Sequence, residues 1–454
     1  MKKLFGTSGI RGKANKTITP QLALKIGKAL VTHTKAKTIL SAHDTRTTST
    51  MLQNALVAGI TACGAIALNQ GVIPTPVLAY LTKCMKIDAG AMITASHNPP
   101  EYNGIKIYNS DSAAYNQIQQ SQIEELVSKD NYKLAAWQDI GRVVQIDETH
   151  RYTEMIKKNV KLERPWKIII DAGNGATSKL APKIFKEIDY SVIAINSQQD
   201  GHFPGRTAEP NEETLIPLCN MVRNLGADIG IAFDGDGDRL VLIDEKGRLT
   251  PQDQTFASYA THIIKPQKNK TIVTHVETSM CIERMVETEG GEVVRTKVGD
   301  VSITEAIRKH KAIFGGEPCG AWIHPSFNYC PDGMLSSILI LEALEETGKT
   351  LSQFVSQAPK YPLLRLKVTC PNHYKSTVME KARQTLPSTF HETKEQSNID
   401  GLRLTLKDGW LLVRSSGTEP LIRVTAEAET KKAVEATMKM AAKLIKNMVK
   451  KAKN

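Results

Sequence analysis

The chain has 454 residues, 41% hydrophobic and 23% charged, a composition expected of a soluble globular protein with room for about three or four domains. It has no run of about twenty apolar residues and no apolar signal core after Met1, and its seven cysteines show no C-x-x-C spacing, so a cytoplasmic protein with reduced thiols and no membrane span is expected. The net charge of +12 would suit a nucleic acid, but aromatics are 5% and no nucleic-acid motif is present; anionic small substrates or a solvated basic face account for it as well.

Residues 5–12, Phe-Gly-Thr-Ser-Gly-Ile-Arg-Gly, read as a flexible polar loop that either wraps an anion with backbone N–H groups or is a plain turn. The Thr19-Pro20 start signal then opens a helix with Leu22, Ile26, Ala29 and Leu30 on one face. Residues 38–42 read as a strand, 43–46 as a polar loop, 48–63 as a helix, 65–68 as a strand and 71–76 as a loop. This alternation is α/β. The buried-strand pattern of 89–93 runs into Thr94-Ala95-Ser96-His97-Asn98-Pro99, and ligand sites form at such strand ends. Ser96 beside an imidazole is a nucleophile setting, with a surface serine in a turn as the alternative. Residues 102–108 read as a hairpin strand carrying Lys106, 117–129 and 147–160 as helices, and 161–165 as a linker.

A second unit opens with the strand 167–171. It closes on Asp234-Gly235-Asp236-Gly237-Asp238-Arg239, a tight turn between the apolar strands 229–233 and 240–243. Alternate carboxylates on an extended chain point to one side. Held that close they repel unless a cation sits among them, and the glycines let the backbone fold around it. An all-oxygen site with spare positions suits Mg²⁺. A calcium loop is the rival, since Glu245 falls at the required distance, but Arg239 stands where the sharp turn needs glycine and the flanks are strands.

The third unit holds strands at 271–274 and 293–300, then Gly316-Glu317-Pro318-Cys319-Gly320 after another strand. Its single carboxylate suits sugar hydroxyls, with a structural turn as the alternative. Residues 349–368 suggest a hinge. The last unit has strands at 401–406, 409–413 and 421–427. Between the last two lies Arg414-Ser415-Ser416-Gly417-Thr418-Glu419-Pro420, which with Arg423 makes a phosphate cradle of guanidinium, hydroxyl and backbone donors. A basic helix follows, with an apolar stripe at Val434, Met438, Ala441, Ile445 and Met448 that would dock on the domain.

A serine, a metal site, a carboxylate and a phosphate cradle, each at a strand end, fit phosphoryl transfer through a phosphoserine. A separate cradle for a non-reacting phosphate is the logic of a sugar-phosphate mutase. Residues 94–99, 234–239, 316–320 and 414–420, in this order, resemble the four signature loops of the α-D-phosphohexomutases, and 5–12 also fits. The resemblance implies an α/β fold of four domains around a central cleft, three similar mixed α/β domains and a smaller C-terminal α+β domain. Their expected limits are 1–152, 153–251, 252–362 and 363–454. It implies reversible transfer of phosphate between the 1- and 6-positions of a hexose through a bisphosphate that turns around in the cleft.

By matching position, phosphorylated Ser96 with Asp234, Asp236 and Asp238 would hold Mg²⁺. Arg239, His97, Lys106 and Arg11 would surround the transferring phosphate, with Lys106 as general base. Glu317 and Cys319 would meet the sugar. Arg414, Ser415, Ser416, Gly417, Thr418 and Arg423 would bind the distal phosphate. A hexose 1,6-bisphosphate would be the activator, a hexose phosphate the substrate and a homodimer a candidate assembly, with no nucleic-acid or membrane partner. Many relatives have serine at Cys319 and histidines at Ala321 and Asp300, which leaves His324 as a candidate substitute acid or base. The Gly-Glu-Pro-Cys-Gly-Ala-Trp and Val-Gly-Asp forms look most like the archaeal phosphoglucosamine mutases, so conversion of glucosamine 6-phosphate to glucosamine 1-phosphate is expected. Phosphomannomutase or phosphoglucomutase activity, a sugar phosphatase and a non-catalytic sugar-phosphate sensor are the alternatives.

Overall fold

Short apolar runs alternate with amphipathic helices along most of the chain. In a computed structural model that describes residues 4–188, 190–417 and 419–453, they assemble into four sheets. The first sheet has seven strands in the order Phe5–Gly6, Gly9–Lys13, Tyr102–Asn109, Ala89–Ile93, Thr38–His43, Ile66–Val72 and Val143–Gln145. Ala89–Ile93, Thr38–His43 and Ile66–Val72 run parallel, and Tyr102–Asn109 turns back antiparallel beside Ala89–Ile93. The second sheet orders Leu240–Ile243, Ile229–Phe233, Lys167–Asp171 and Ser191–Ile195. The third orders Glu292–Thr296, Thr271–His275, Phe314–Glu317 and Ala321–Ile323. Both repeat the plan of a parallel centre with one antiparallel edge. The fourth sheet is antiparallel throughout and packs one face on the helices Lys375–Thr389 and Lys431–Lys453. Three mixed α/β domains and a smaller α+β domain result.

The structure departs from the sequence expectation in several places. Residues 9–13 are a strand paired with Tyr102–Asn109, where a flexible loop was expected. The strand expected at 65–68 continues to Val72, and a helix already begins at Thr75. The strand expected over 293–300 ends at Thr296, and Asp300 opens the helix Asp300–His310. The expected hinge at 349–368 contains the helix Leu351–Val355 and the strand Leu363–Thr369. The apolar stripe of the last helix is buried as expected, and its lysines from Lys431 to Lys451 face outward. Among the described residues no helix is long and apolar enough to cross a membrane.

One continuous apolar core joins the first three domains. It runs from Leu78 and Tyr152 through Trp166 and Phe233 to Phe256 and Leu335. The fourth domain has its own core, with Val368, Val424 and Ile445 inside it. It meets the third domain through a small cluster of Val276, Trp410 and Leu412. The Met280 N–H also donates to Glu427 Oε2 at 2.7 Å, and Arg284 pairs with Glu429 at 2.8 Å.

The helices Pro20–Thr34 and Ser49–Ala62 cover the outer face of the first sheet and cross at two glycines. A Cβ on Gly59 would stand 2.2 Å from the Leu24 carbonyl oxygen, which is backbone and cannot swing aside. Gly59→Ala is therefore expected to destabilise the protein by about 1–3 kcal/mol. Urea unfolding checks this, and an unchanged midpoint would show that the two helices can separate without loss.

Candidate active site

The loop leaving Ala89–Ile93 places Ser96 at φ 52°, a left-handed conformation that serine seldom adopts. A buried network holds it there. The Ser96 N–H donates to Thr94 Oγ1 at 2.9 Å, and that hydroxyl donates to Asp44 Oδ2 at 2.7 Å. Asp44 also pairs at 3.0 Å with Arg46, both side chains fully buried. The Arg46 guanidinium donates to the carbonyls of Ser96, Asn98, Pro99 and Tyr102 at 2.6–3.0 Å, so one side chain ties down the whole loop.

The acidic turn comes from the second domain and meets this loop at Gly235. A Cβ there would stand 2.5 Å from the Ser96 carbonyl oxygen, so only glycine allows the approach. The Ser96 hydroxyl donates to Asp234 Oδ2 at 2.7 Å, and His97 Nδ1 lies 3.3 Å from the same hydroxyl. Asp234, Asp236 and Asp238 each offer one oxygen within 4.8 Å of the others, all three residues buried. Asp236 Oδ1 and Asp238 Oδ1 are buried without a hydrogen-bond partner. Three converging carboxylates with orphaned oxygens fit a hard divalent cation.

Lys106 donates to Asp236 Oδ2 at 2.8 Å and to Asp238 Oδ2 at 2.6 Å. The Thr75 hydroxyl adds a 2.6 Å bond to Asp236 Oδ2. These partners split the triad. Burial, then the charges of Asp238 and Asp236, push the Asp234 carboxyl well above the usual range. Burial would also raise Asp236, but the ammonium of Lys106 overrides it and holds that carboxyl below the usual range. Burial opposes a charge on Lys106, yet Asp236 and Asp238 outweigh it and raise its pKa. As placed, Lys106 is therefore a charged counter-ion, and service as a base demands that it first give up these two ion pairs.

Burial, with the charges of Arg239 and Arg11, pushes His97 down to about 3, so it is a neutral imidazole. Arg239 lies 3.3 Å from both Glu209 carboxylate oxygens and 3.9 Å from Asp238 Oδ1. Glu209 also lies 3.6 Å from His97 Nδ1. Arg11 donates to Asn98 Oδ1 at 3.2 Å, while its Nε is buried with no partner.

The third domain contributes Glu317 at the end of the strand Phe314–Glu317. Its Oε1 accepts the Gly299 N–H at 3.1 Å and lies 3.8 Å from His275 Nε2; Cys319 Sγ is 3.9 Å from its Oε2. Burial, only partly offset by Arg239, raises Glu317 to about 7. Asp300 accepts the Ser8 hydroxyl at 2.7 Å, which ties this domain to the first. His324 does not serve here. It is buried against Tyr259 and Phe314, bonds Ser336 Oγ at 2.9 Å and is held neutral by burial, so the expected substitute acid or base is a core residue.

In the fourth domain Arg414 lies on the strand Gly409–Ser415 and bridges Asp400 at 2.9 Å and Glu277 at 3.0 Å. Ser416 Oγ accepts the Glu419 N–H at 3.1 Å, and Arg423 pairs with Glu419 at 2.7 Å. Gly417 has open space where a side chain would be. Lys375 donates to the carbonyls of Ser416 and Glu419 at 2.5 and 2.6 Å. Thr418 lies outside the described residues. Asp400 also accepts the Val298 N–H at 3.3 Å, next to the Gly299 that holds Glu317. Contacts thus run from Arg414 through Asp400 and the turn 298–300, which also holds Glu317, to Ser8 of the first domain.

Sequence reasoning missed Asp44, Arg46, Thr75, Glu209, His275 and Lys375. Asp44 and Arg46 stand in the polar strand-end loop 43–46, the same kind of signal that drew attention to Ser96. Nothing local distinguishes Glu209.

Four domain models match in order: phosphoglucomutase/phosphomannomutase alpha/beta/alpha domain I over residues 2–133, domain II over 150–247, domain III over 251–361 and the C-terminal domain over 366–444. A Pyrococcus abyssi protein named "Probable phosphoglucosamine mutase" is 41% identical over 452 residues, covering 100% of both chains. A Methanothermobacter thermautotrophicus protein of the same name is 43% identical over 430 residues, 94% of each chain. A phosphoglucomutase/phosphomannomutase family protein from Burkholderia thailandensis, of solved structure, superposes with TM-score 0.90 at 27% identity over 99% of this chain and 98% of its own. The chain belongs to the phosphoglucomutase/phosphomannomutase family, the α-D-phosphohexomutases, and is an isomerase that moves a phosphate on a hexose phosphate.

Glu317 makes stability depend on pH. Its folded pKa of about 7 exceeds the ordinary 4.5, so the native chain keeps a proton that the unfolded chain releases in between. The stability this contributes is present below 4.5 and is lost as pH rises through about 7. Relative to Glu317→Gln, the wild type is expected to lose stability across this window in urea titrations. Parallel pH curves would show that Glu317 is ionised throughout.

Proposed function

We propose that this phosphohexomutase interconverts glucosamine 6-phosphate and glucosamine 1-phosphate through a phosphorylated Ser96. The substrate rests on the names of relatives near 40% identity over the whole chain. The serine rests on one observation, its hydroxyl 2.7 Å from Asp234 at the centre of the buried triad. Asp234, Asp236, Asp238 and the phosphoserine would hold Mg²⁺, which when bound offsets charge on the transferring phosphoryl group.

In the forward half-reaction the bond from Ser96 Oγ to phosphorus breaks and one from the substrate hydroxyl oxygen to phosphorus forms. Lys106, once drawn from Asp236 and Asp238 and having released one proton to bulk water, takes the hydroxyl proton. Arg239 and Arg11 face the transferring group, and His97 stays neutral beside Ser96. Glu317, its pKa raised by burial to about 7, can both donate to and accept from sugar hydroxyls. Arg414, Ser415, Ser416, Gly417, Thr418 and Arg423 hold the non-reacting phosphate, for which Arg414 trades its bonds to Asp400 and Glu277. The hexose 1,6-bisphosphate then turns around and returns its other phosphate to Ser96. The same bisphosphate, supplied in trace, activates the enzyme by charging Ser96.

The test incubates the protein with Mg²⁺, a trace of bisphosphate and glucosamine 6-phosphate, glucose 1-phosphate or mannose 1-phosphate. Fastest isomerisation is expected with glucosamine 6-phosphate. Preference for either other sugar would reassign the substrate, and steady release of inorganic phosphate would make it a phosphatase. Ser96→Ala should gain no phosphate by intact mass after exposure to bisphosphate; a phosphorylated variant would place the nucleophile elsewhere. Lys106→Arg keeps the charge but cannot act as a base, and should lower kcat by about 10²–10⁴-fold with little change in KM. An unchanged kcat would show that Lys106 is not the base.

A further inference from the structure

The third and fourth domains wall a cavity of about 440 Å³ whose lining includes neither the triad nor Glu317 nor the turn 414–420. Met280, Glu283 and Arg295 wall it from the third domain, Arg403 and Trp410 from the fourth. Strand alternation puts Arg403, Trp410, Leu412 and Arg414 on one face of the fourth sheet, so this cavity and the phosphate cradle sit at two places on the same surface.

Arg403 stands out. It is 9% exposed, its guanidinium lies 4.9 Å from the centre of the Trp410 ring, and its Nε is buried with no partner. Among the described residues, its one side-chain hydrogen bond is a long one, 3.5 Å to Thr405 Oγ1. Of the three carboxylates that act on it, exposed Glu395 lines the same cavity, and Glu283 and Glu427 are engaged. Arg295 holds Glu283 through two bonds of 2.6 and 2.8 Å, and Glu427 accepts from Trp410 Nε1 and the Met280 N–H at 2.7 Å each. A second guanidinium, that of Arg295, faces the same space. Burial and then the Arg295 charge push Arg403 down to about 9 against the pull of Glu283, Glu427 and Glu395, with none of which it forms an ion pair among the described residues. A buried charge without a partner is costly, and a guanidinium fork matches phosphate and carboxylate heads.

We propose that this cavity is a second anion site, taking a small molecule with a phosphate or carboxylate head on Arg403 and clamping the fourth domain against the third. Each wall comes from a different domain, so an occupant favours the docked arrangement in which Arg414 meets Glu277, and the site is coupled to the cradle. It uses no residue of the proposed chemistry, so it stands whether or not the substrate is glucosamine 6-phosphate.

Hydrogen exchange on the full chain tests this with inorganic phosphate and with malonate as separate probes. Each is added to wild type, Arg403→Gln and Arg414→Gln. At least one probe should slow exchange in 281–288 and 402–405 in wild type and Arg414→Gln, with apparent affinity roughly ten-fold or more weaker in Arg403→Gln. The probe that acts names the head group. No protection in wild type, undiminished protection in Arg403→Gln, or loss in Arg414→Gln alone, which would trace the effect to the cradle, each overturns the proposal. A measurement that needs no variant is anomalous diffraction from crystals soaked in selenate. A peak beside Arg403 is expected, and peaks confined to the Arg414 turn would overturn the site.

Discussion

The hydrogen bond from Ser96 to Asp234 joins two domains through atoms 138 positions apart in sequence, and the rest of the site is arranged around it. It exists because neither side can retreat. Arg46, itself locked by Asp44, grips four carbonyls of the serine loop. Gly235 brings the acidic turn close enough that no other residue would fit. The left-handed backbone of Ser96 is the strain stored in this arrangement, and the buried network sustains it.

Burying three carboxylates together would be prohibitive without cations, and the structure supplies them unevenly. Lys106 and Thr75 stabilise the charge on Asp236, while the donors to Asp234 are neutral ones, the serine hydroxyl and the Gly237 and Arg239 N–H groups. Neighbouring carboxyls are thereby driven in opposite directions, the usual way a fold gives like groups unlike tasks. Farther along the cleft, burial raises Glu317 to about 7, which suits it to hydroxyls rather than to another phosphate.

Much of this was legible in the sequence, because its strongest signals are local. Ser96 and the triad each stand at a strand end, and carboxylates two residues apart with glycines between carry their own explanation. What was hidden is of two kinds. Glu209, Thr75, His275 and Arg46 act on partners distant in the chain, and no spacing announces that. The strand Gly9–Lys13 is too rich in glycine to read as one, and Leu363–Thr369 alternates leucine with charge beside two prolines and so reads as a linker. His324 failed for a simpler reason: its place after a strand says nothing about which side of the sheet its ring enters. The fold class needed only the alternation of elements; the limits of single elements needed the tertiary partners.

The division of the apolar interior has a mechanical consequence. Because one apolar core runs through the first three domains beside their own smaller ones, the serine loop and the acidic turn belong to one cooperative unit, and separating them means breaking that core. The fourth domain keeps its own core and touches the others through a few side chains and ion pairs. Work done on the cradle is therefore cheap where work done on the triad is expensive. The molecule is a stiff anvil with a loosely pinned arm, and compliance is placed where a reorienting ligand would press on it.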